Sequence, residues 1–132
     1  MQCHVDYCSQ LFMPGQAGEM QVIEKLFYNF TQKIPAIRDL DYWKRLEALQ
    51  MYSQERRMER YRIIYVWKIL EGYAPNCGIE VTQLNERLGR KVKIPSLLRN
   101  GRQAIQTLRE NSFQINGARL FNSLPKKIRN MK

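Results

Sequence analysis

The stretch that decides the fold runs from Ser53 to Gly72, S-Q-E-R-R-M-E-R-Y-R-I-I-Y-V-W-K-I-L-E-G. Met58, Tyr61, Tyr65 and Ile69 recur at helical spacing, and Ile64, Trp67 and Leu70 widen the apolar face. Ser53 suits the N-cap, Glu55 lies in the first turn where the helix dipole favours an acid, and Gly72 suits the position just past the C-terminus. The two ends differ in character. Arg56, Arg57, Arg60 and Arg62 crowd the first turns, whereas from Ile63 to Leu70 only Lys68 is polar. The spacing predicts a central helix with a buried tail and a cationic head. Without a ligand, such a head is a solvated face laced with local Glu–Arg pairs.

Upstream, Met20, Ile23, Phe27, Phe30 and Ile34 keep the i, i+3, i+4 rhythm with Leu26 beside them, and Pro35 stops the run. Asp41 can cap a shorter helix with Tyr42, Leu46 and Leu49 facing inward and Lys44, Arg45 and Glu47 facing out. Before Pro14-Gly15, the residues Val5, Cys8, Leu11 and Phe12 share one helical face. Beyond Gly72 the texture changes. Residues 73–78 read as a loop, residues 79–84 and 92–94 alternate as a short hairpin would, and Gln103 to Arg109 reads as a short helix. Ser112-Phe113-Gln114-Ile115 reads as a strand, Asn116-Gly117 as a turn, Ala118 to Leu124 as a turn or two of helix halted by Pro125, and the basic tail as frayed. The fold class is mainly α. A small helical bundle over residues 1–72 is packed by a basic, irregular α+β extension over residues 73–132.

Charge narrows the function. Residues 1–50 carry five Lys/Arg against six Asp/Glu, residues 51–100 ten against five, and residues 101–132 seven against one, so the +10 excess is concentrated after Gln50. That asymmetry suits a polyanionic partner, nucleic acid or an acidic protein surface. Arg87, Arg90, Lys91, Lys93, Arg99 and Arg102 run through the hairpin and the following loop, and Arg119, Lys126, Lys127 and Arg129 form a second basic stretch. Cations of this kind neutralise phosphates without reading sequence. The aromatic residues of the helices read as core rather than as base-stacking platforms.

Catalysis finds no support in the residue types present. The only aspartates are Asp6, Asp39 and Asp41, with no Asp-Asp pair to hold Mg²⁺, and capping is the economical role for Asp39 and Asp41. The single histidine, His4, has no nucleophile or acid at triad-like spacing, and neither glycine-rich phosphate loop occurs. Cys3, His4, Cys8 and Cys77 lack the paired spacing of a zinc site. Three irregularly spaced cysteines without a signal peptide fit a reduced intracellular setting, nucleus or cytoplasm, and no apolar run reaches bilayer length. No metal, cofactor or small-molecule substrate is expected.

Several phrases resemble one family together. D-Y-C-S-Q-L-F at 6–12, I-E-K-L-F-Y-N-F-T-Q-K-I-P at 23–35, L-D-Y-W-K-R-L-E-A-L at 40–49, R-M-E-R-Y-R-I-I-Y-V-W-K-I-L-E-G at 57–72 and S-F-Q-I-N-G-A-R-L-F-N-S-L-P at 112–125 are similar, in order and spacing, to LINE-type (non-LTR) retrotransposon reverse transcriptases of the jockey-like group. The similar region is the thumb and the post-thumb extension. The resemblance implies a helical module that grips a template–primer duplex, with the catalytic aspartates on a palm, and an endonuclease, that this chain does not contain. Departures occur inside the motifs. Tyr28-Asn29 stands for an arginine pair, Asp41 for a capping serine, Arg60-Tyr61-Arg62 for R-G-D, and Phe12 and Phe121 for tryptophans. The expected function is a noncatalytic module that binds RNA–DNA hybrid or duplex weakly and without sequence preference. Its contacts would be Arg56, Arg57, Arg60 and Arg62 on the helix, with Arg90, Lys91 and Lys93 on the hairpin. The rival expectation is a structural or protein-interaction remnant whose apolar faces once packed on the palm; it predicts exposed apolar patches and self-association.

Overall fold

The computed structural model describes residues 17–80, 89–96 and 109–131. The helix expected before Pro14, the centre of the expected hairpin and nearly all of the helix expected over 103–109 lie outside the described residues. The chain is mainly α, with five helices among the described residues: α1 (Ala17–Gln32), α2 (Tyr42–Ala48), α3 (Gln54–Leu70), α4 (Phe113–Ser123) and α5 (Lys126–Arg129). Its contacts divide it between Met58 and Glu59, inside α3, into two units.

In the first unit, α1 ends two residues before Ile34-Pro35, because the residue preceding a proline is pushed out of the helical region. Phe27 and Thr31 are buried and Ile23 and Ile34 half-buried, but Phe30, expected to face inward, is 54% exposed. Asp41 caps α2 as expected, its carboxylate accepting from the Trp43 amide at 3.3 Å. Tyr42 and Leu46 are buried, as their spacing predicts. Arg45 corrects the expectation: it points inward, with its guanidinium 4.6 Å from the Tyr28 ring centroid and one Nη donating to the Tyr28 carbonyl. A guanidinium is weakly hydrated and stacks on aromatic faces, so two tyrosines can hold it where lysine would not stay.

Glu24 of α1 joins the elements of this unit. Its carboxylate accepts from the Tyr42 hydroxyl and, at 2.9 Å, from the backbone amide of Gln54, the first residue of α3. One of the orphan amides of α3 is thus capped from another helix, while Ser53 Oγ accepts from the Arg56 amide at 3.4 Å. Burial, followed by the bond to Glu24, raises the Tyr42 hydroxyl well above the ordinary tyrosine range.

In the second unit the tail of α3 is sealed as Gly72 predicts. Gly72 adopts φ +80, its amide donates to the Ile69 carbonyl at 3.2 Å, and the Tyr73 amide donates to the Lys68 carbonyl at 2.8 Å. The core gathers Val66, Ile69, Ile79, Val92, Phe113, Ala118 and Phe121, with Tyr65 edge-on to Phe113 at 5.4 Å. The apolar face of α3 is therefore rotated from the expected one. Val66 is fully buried, whereas Ile64 is exposed.

The predicted strand over 112–115 and turn at Asn116-Gly117 are instead the start of α4. Phe113, Ile115, Gly117, Ala118 and Phe121 are all buried on one helix. Gly117 is there for closeness, not for a turn. A Cβ on it would lie 3.1 Å from Val66 Cγ2, so the bare backbone lets α3 and α4 approach. The tail is not frayed either: residues 126–129 form α5, and the Trp67 indole N–H donates to the Met131 carbonyl at 3.1 Å.

Residues 89–93 are extended but are held by side chains more than by a sheet. The Lys93 amide donates to the Glu80 carbonyl at 2.8 Å, the one backbone bond that matches the expected hairpin among the described residues. The Asn122 amide group of α4 bonds both the N–H and the C=O of Val92, at 2.9 and 2.8 Å, in the manner of a neighbouring strand. Asn130 Oδ1 accepts from the Arg90 amide at 2.9 Å.

Candidate nucleic-acid interface

A phosphate-binding surface needs cations that are exposed and not already neutralised. The structure sorts the predicted ones sharply. Arg56 and Arg60 are exposed on the head of α3, one turn apart, and their side chains make no hydrogen bond or ion pair to the described residues. Arg57 is half-buried and already engaged. Arg62 is fully buried, and none of its Nε, Nη1 or Nη2 atoms has a hydrogen-bond partner among the described residues. It cannot contact a phosphate where it stands. Burial lowers its affinity for its proton below that of an ordinary arginine.

The basic run of the expected hairpin is largely structural. Arg90 is paired with Glu71 and also donates to the Leu70 carbonyl at 3.3 Å, which ties the extended segment to the end of α3. Lys91 is half-buried and engaged. Lys93 is exposed but sits 3.0 Å from the Glu80 carboxylate, a surface pair too weak to withhold it from a phosphate. Arg129 is buried and donates to the Arg90 carbonyl at 2.9 Å, so it holds backbone and not ligand. Lys126 is exposed and engaged, and Lys127 is exposed with no side-chain hydrogen bond or ion pair to the described residues. Arg87, Arg99 and Arg102 lie outside the described residues.

Two features escaped the sequence. Trp43 and Tyr52 are 63% and 55% exposed, and they line an open hollow of about 680 Å³ beside Arg56, together with Glu47 and Glu55. Helical spacing alone assigned aromatic residues to the core. The second feature is a stripe on α1, Val22, Leu26 and Phe30 at 65%, 49% and 54% exposure, which lies along one side of the helix at successive turns. The expected inward face holds for Ile23, Phe27 and Ile34, and only Phe30 falls on this exposed stripe instead.

The described residues hold no cluster of three or more metal-ligating side chains, and Cys77 is an exposed free thiol. No helix among them is long and apolar enough to cross a membrane. No protein-family model, curated protein or solved structure matches the chain.

Proposed function

We propose that this chain is a noncatalytic module that binds nucleic-acid duplex through phosphates, in the manner of the polymerase thumb that its motifs resemble. The observation that carries the reading is the pair Arg56 and Arg60. They are exposed and unneutralised at successive turns, about 6 Å apart along the axis of a helix whose tail is anchored in a core. Phosphate contacts without base contacts give affinity without sequence preference. Two or three such cations make the binding weak, with a modest log–log salt slope of about −2 to −3.

The test is binding to labelled RNA–DNA hybrid, double-stranded DNA and single strands across a salt series. On a log–log plot the wild type should fall linearly, and Arg56→Ala and Arg60→Ala should each reduce the slope by about 1. Arg90→Ala should act on stability instead, because Arg90 is spent on Glu71 and the Leu70 carbonyl. If an unrelated protein of equal charge binds as well, or neither arginine alters the slope, the proposal fails.

A second reading is favoured by the exposed stripe Val22–Leu26–Phe30. The rival, a protein-interaction remnant, requires apolar surface of that kind. Sedimentation of wild type against Leu26→Glu tests it: concentration-dependent association that the substitution abolishes would support it.

A further inference from the structure

The second unit carries an apolar groove that the duplex-binding reading does not use. Ile63, Ile64 and Trp67 of α3 form one wall, and Leu124, Ile128 and Met131 form the other. Phe121, 1% exposed, makes the floor, and the groove encloses about 270 Å³. Its walls are not shut by packing: Ile64 is 36%, Ile128 49% and Met131 60% exposed. They are nevertheless braced, because the Trp67 indole N–H donates to the Met131 carbonyl across the groove. Tyr73, 75% exposed, lies against Trp67 with ring centroids 5.8 Å apart and extends the apolar surface past the end of α3.

The rim is basic. Lys68 stands one turn after Ile64 on the same helix face. Lys127 precedes Ile128 and stands four residues before Met131. Both side chains are exposed and make no hydrogen bond or ion pair with the described residues. Glu71, three residues from Lys68, does not balance it, because its carboxylate is bonded to Arg90.

We propose that this groove docks an acidic amphipathic helix of another protein, its apolar side seated on Trp67, Ile64 and Ile128 and its carboxylates on Lys68 and Lys127. A short helix presenting apolar residues at i, i+3 or i+4, and i+7 is the ligand that such grooves take. A tryptophan seated in an apolar pocket is the kind of residue on which binding energy concentrates. Charge complementarity selects the occupant. A second copy of this chain, at net charge +10, would bring basic surface against the basic rim, and a nucleic acid would leave the apolar floor unfilled.

The probe is a capped synthetic peptide of about 14 residues, with leucine and phenylalanine on one face and glutamate on the flanks. Two controls accompany it, one with lysine for each glutamate and one scrambled. Binding is read from the Trp67 indole N–H resonance and from fluorescence polarisation of labelled peptide. The acidic peptide should bind at least tenfold tighter than either control. Ile128→Asp, at an exposed position, should weaken it tenfold or more, and Lys68→Glu with Lys127→Glu should reverse the preference towards the lysine peptide. Equal binding of the scrambled peptide overturns the proposal, and so does indifference to the double charge reversal. A Trp67 signal that changes with protein concentration alone would assign the groove to a second copy and overturn it as well. Duplex added in place of peptide should leave the Trp67 resonance unmoved, and a shift there would give the groove to nucleic acid. Arg56→Ala separates the two proposals: it should weaken duplex binding and leave peptide binding unchanged.

Discussion

Replacing Arg62 by methionine should stabilise this protein. Arg62 has no exposed surface and occupies the buried stripe of α3 between Met58 and Val66, four residues from each. Its three guanidinium nitrogens have no acceptor among the described residues, and its charged form is disfavoured by burial. For a base whose proton affinity is lower folded than unfolded, the penalty sets in as pH falls below the ordinary arginine value and is complete below the folded one, so it is present at neutral pH. Methionine has a similar helix propensity and a similar unbranched reach, so propensity and volume nearly cancel and the electrostatic term remains. Replacing buried ionic groups by well-packed apolar ones stabilises by up to about 4 kcal/mol; with no partner left behind here, the gain should be about 1–4 kcal/mol. With a urea m-value of roughly 1–3 kcal/mol/M, the unfolding midpoint should rise by about 1 M at unchanged slope. Circular dichroism and tryptophan fluorescence should report the same shift. A midpoint lower than wild type would refute the reasoning, because it would mean that the guanidinium holds an interaction whose loss outweighs its desolvation. Arg62→Lys should gain little, since it moves a charge within the same enclosure.

Other expectations concern the elements around the site. Gly89→Ala should destabilise by about 1–3 kcal/mol, since Gly89 has φ +71 and a Cβ there would lie 3.0 Å from Asn130 Oδ1, the acceptor of the Arg90 amide; thermal unfolding measures it. Asn122→Leu keeps the size but strands the N–H and C=O of Val92. The cost should be roughly 1–3 kcal/mol per stranded group, with faster hydrogen exchange at the Val92 amide and little change in Val66. Tyr42 has its proton affinity raised by burial and by Glu24, so its contribution is complete below the ordinary tyrosine value of 10.0 and is lost as pH rises above it. Tyr42→Phe should therefore flatten the alkaline fall in stability, and in the wild type tyrosinate absorbance should appear last for Tyr42.

Local order was legible along the chain because its causes are local. Ser53 and Asp41 cap helices, Gly72 ends one in the left-handed region, and Pro35 bars α1 from continuing. None of these depends on what packs against the helix. The sequence alone also determined the cationic bias after Gln50 and the apolar rows that make the chain mainly α. Short apolar runs were the weak point. Ser112-Phe113-Gln114-Ile115 alternates as a strand does, yet Phe113, Ala118 and Phe121 share a helical face only once Val66 lies against Gly117.

Only the tertiary structure decided which cations are available. Arg56, Arg60 and Arg62 look alike in sequence, but the direction of the core turns Arg62 inward and leaves the other two in solvent. Arg90 and Arg129 lie in runs that read as phosphate contacts, and each is taken by a carboxylate or carbonyl from a residue distant in the chain. The same holds for Arg45 against Tyr28, and for Phe30 on the exposed side of α1. A helix repeats its residues around a cylinder, and the side that is buried depends on partners that one segment does not contain. Residue type and spacing therefore determined where charge and helix would be, and long-range packing determined which charges face water.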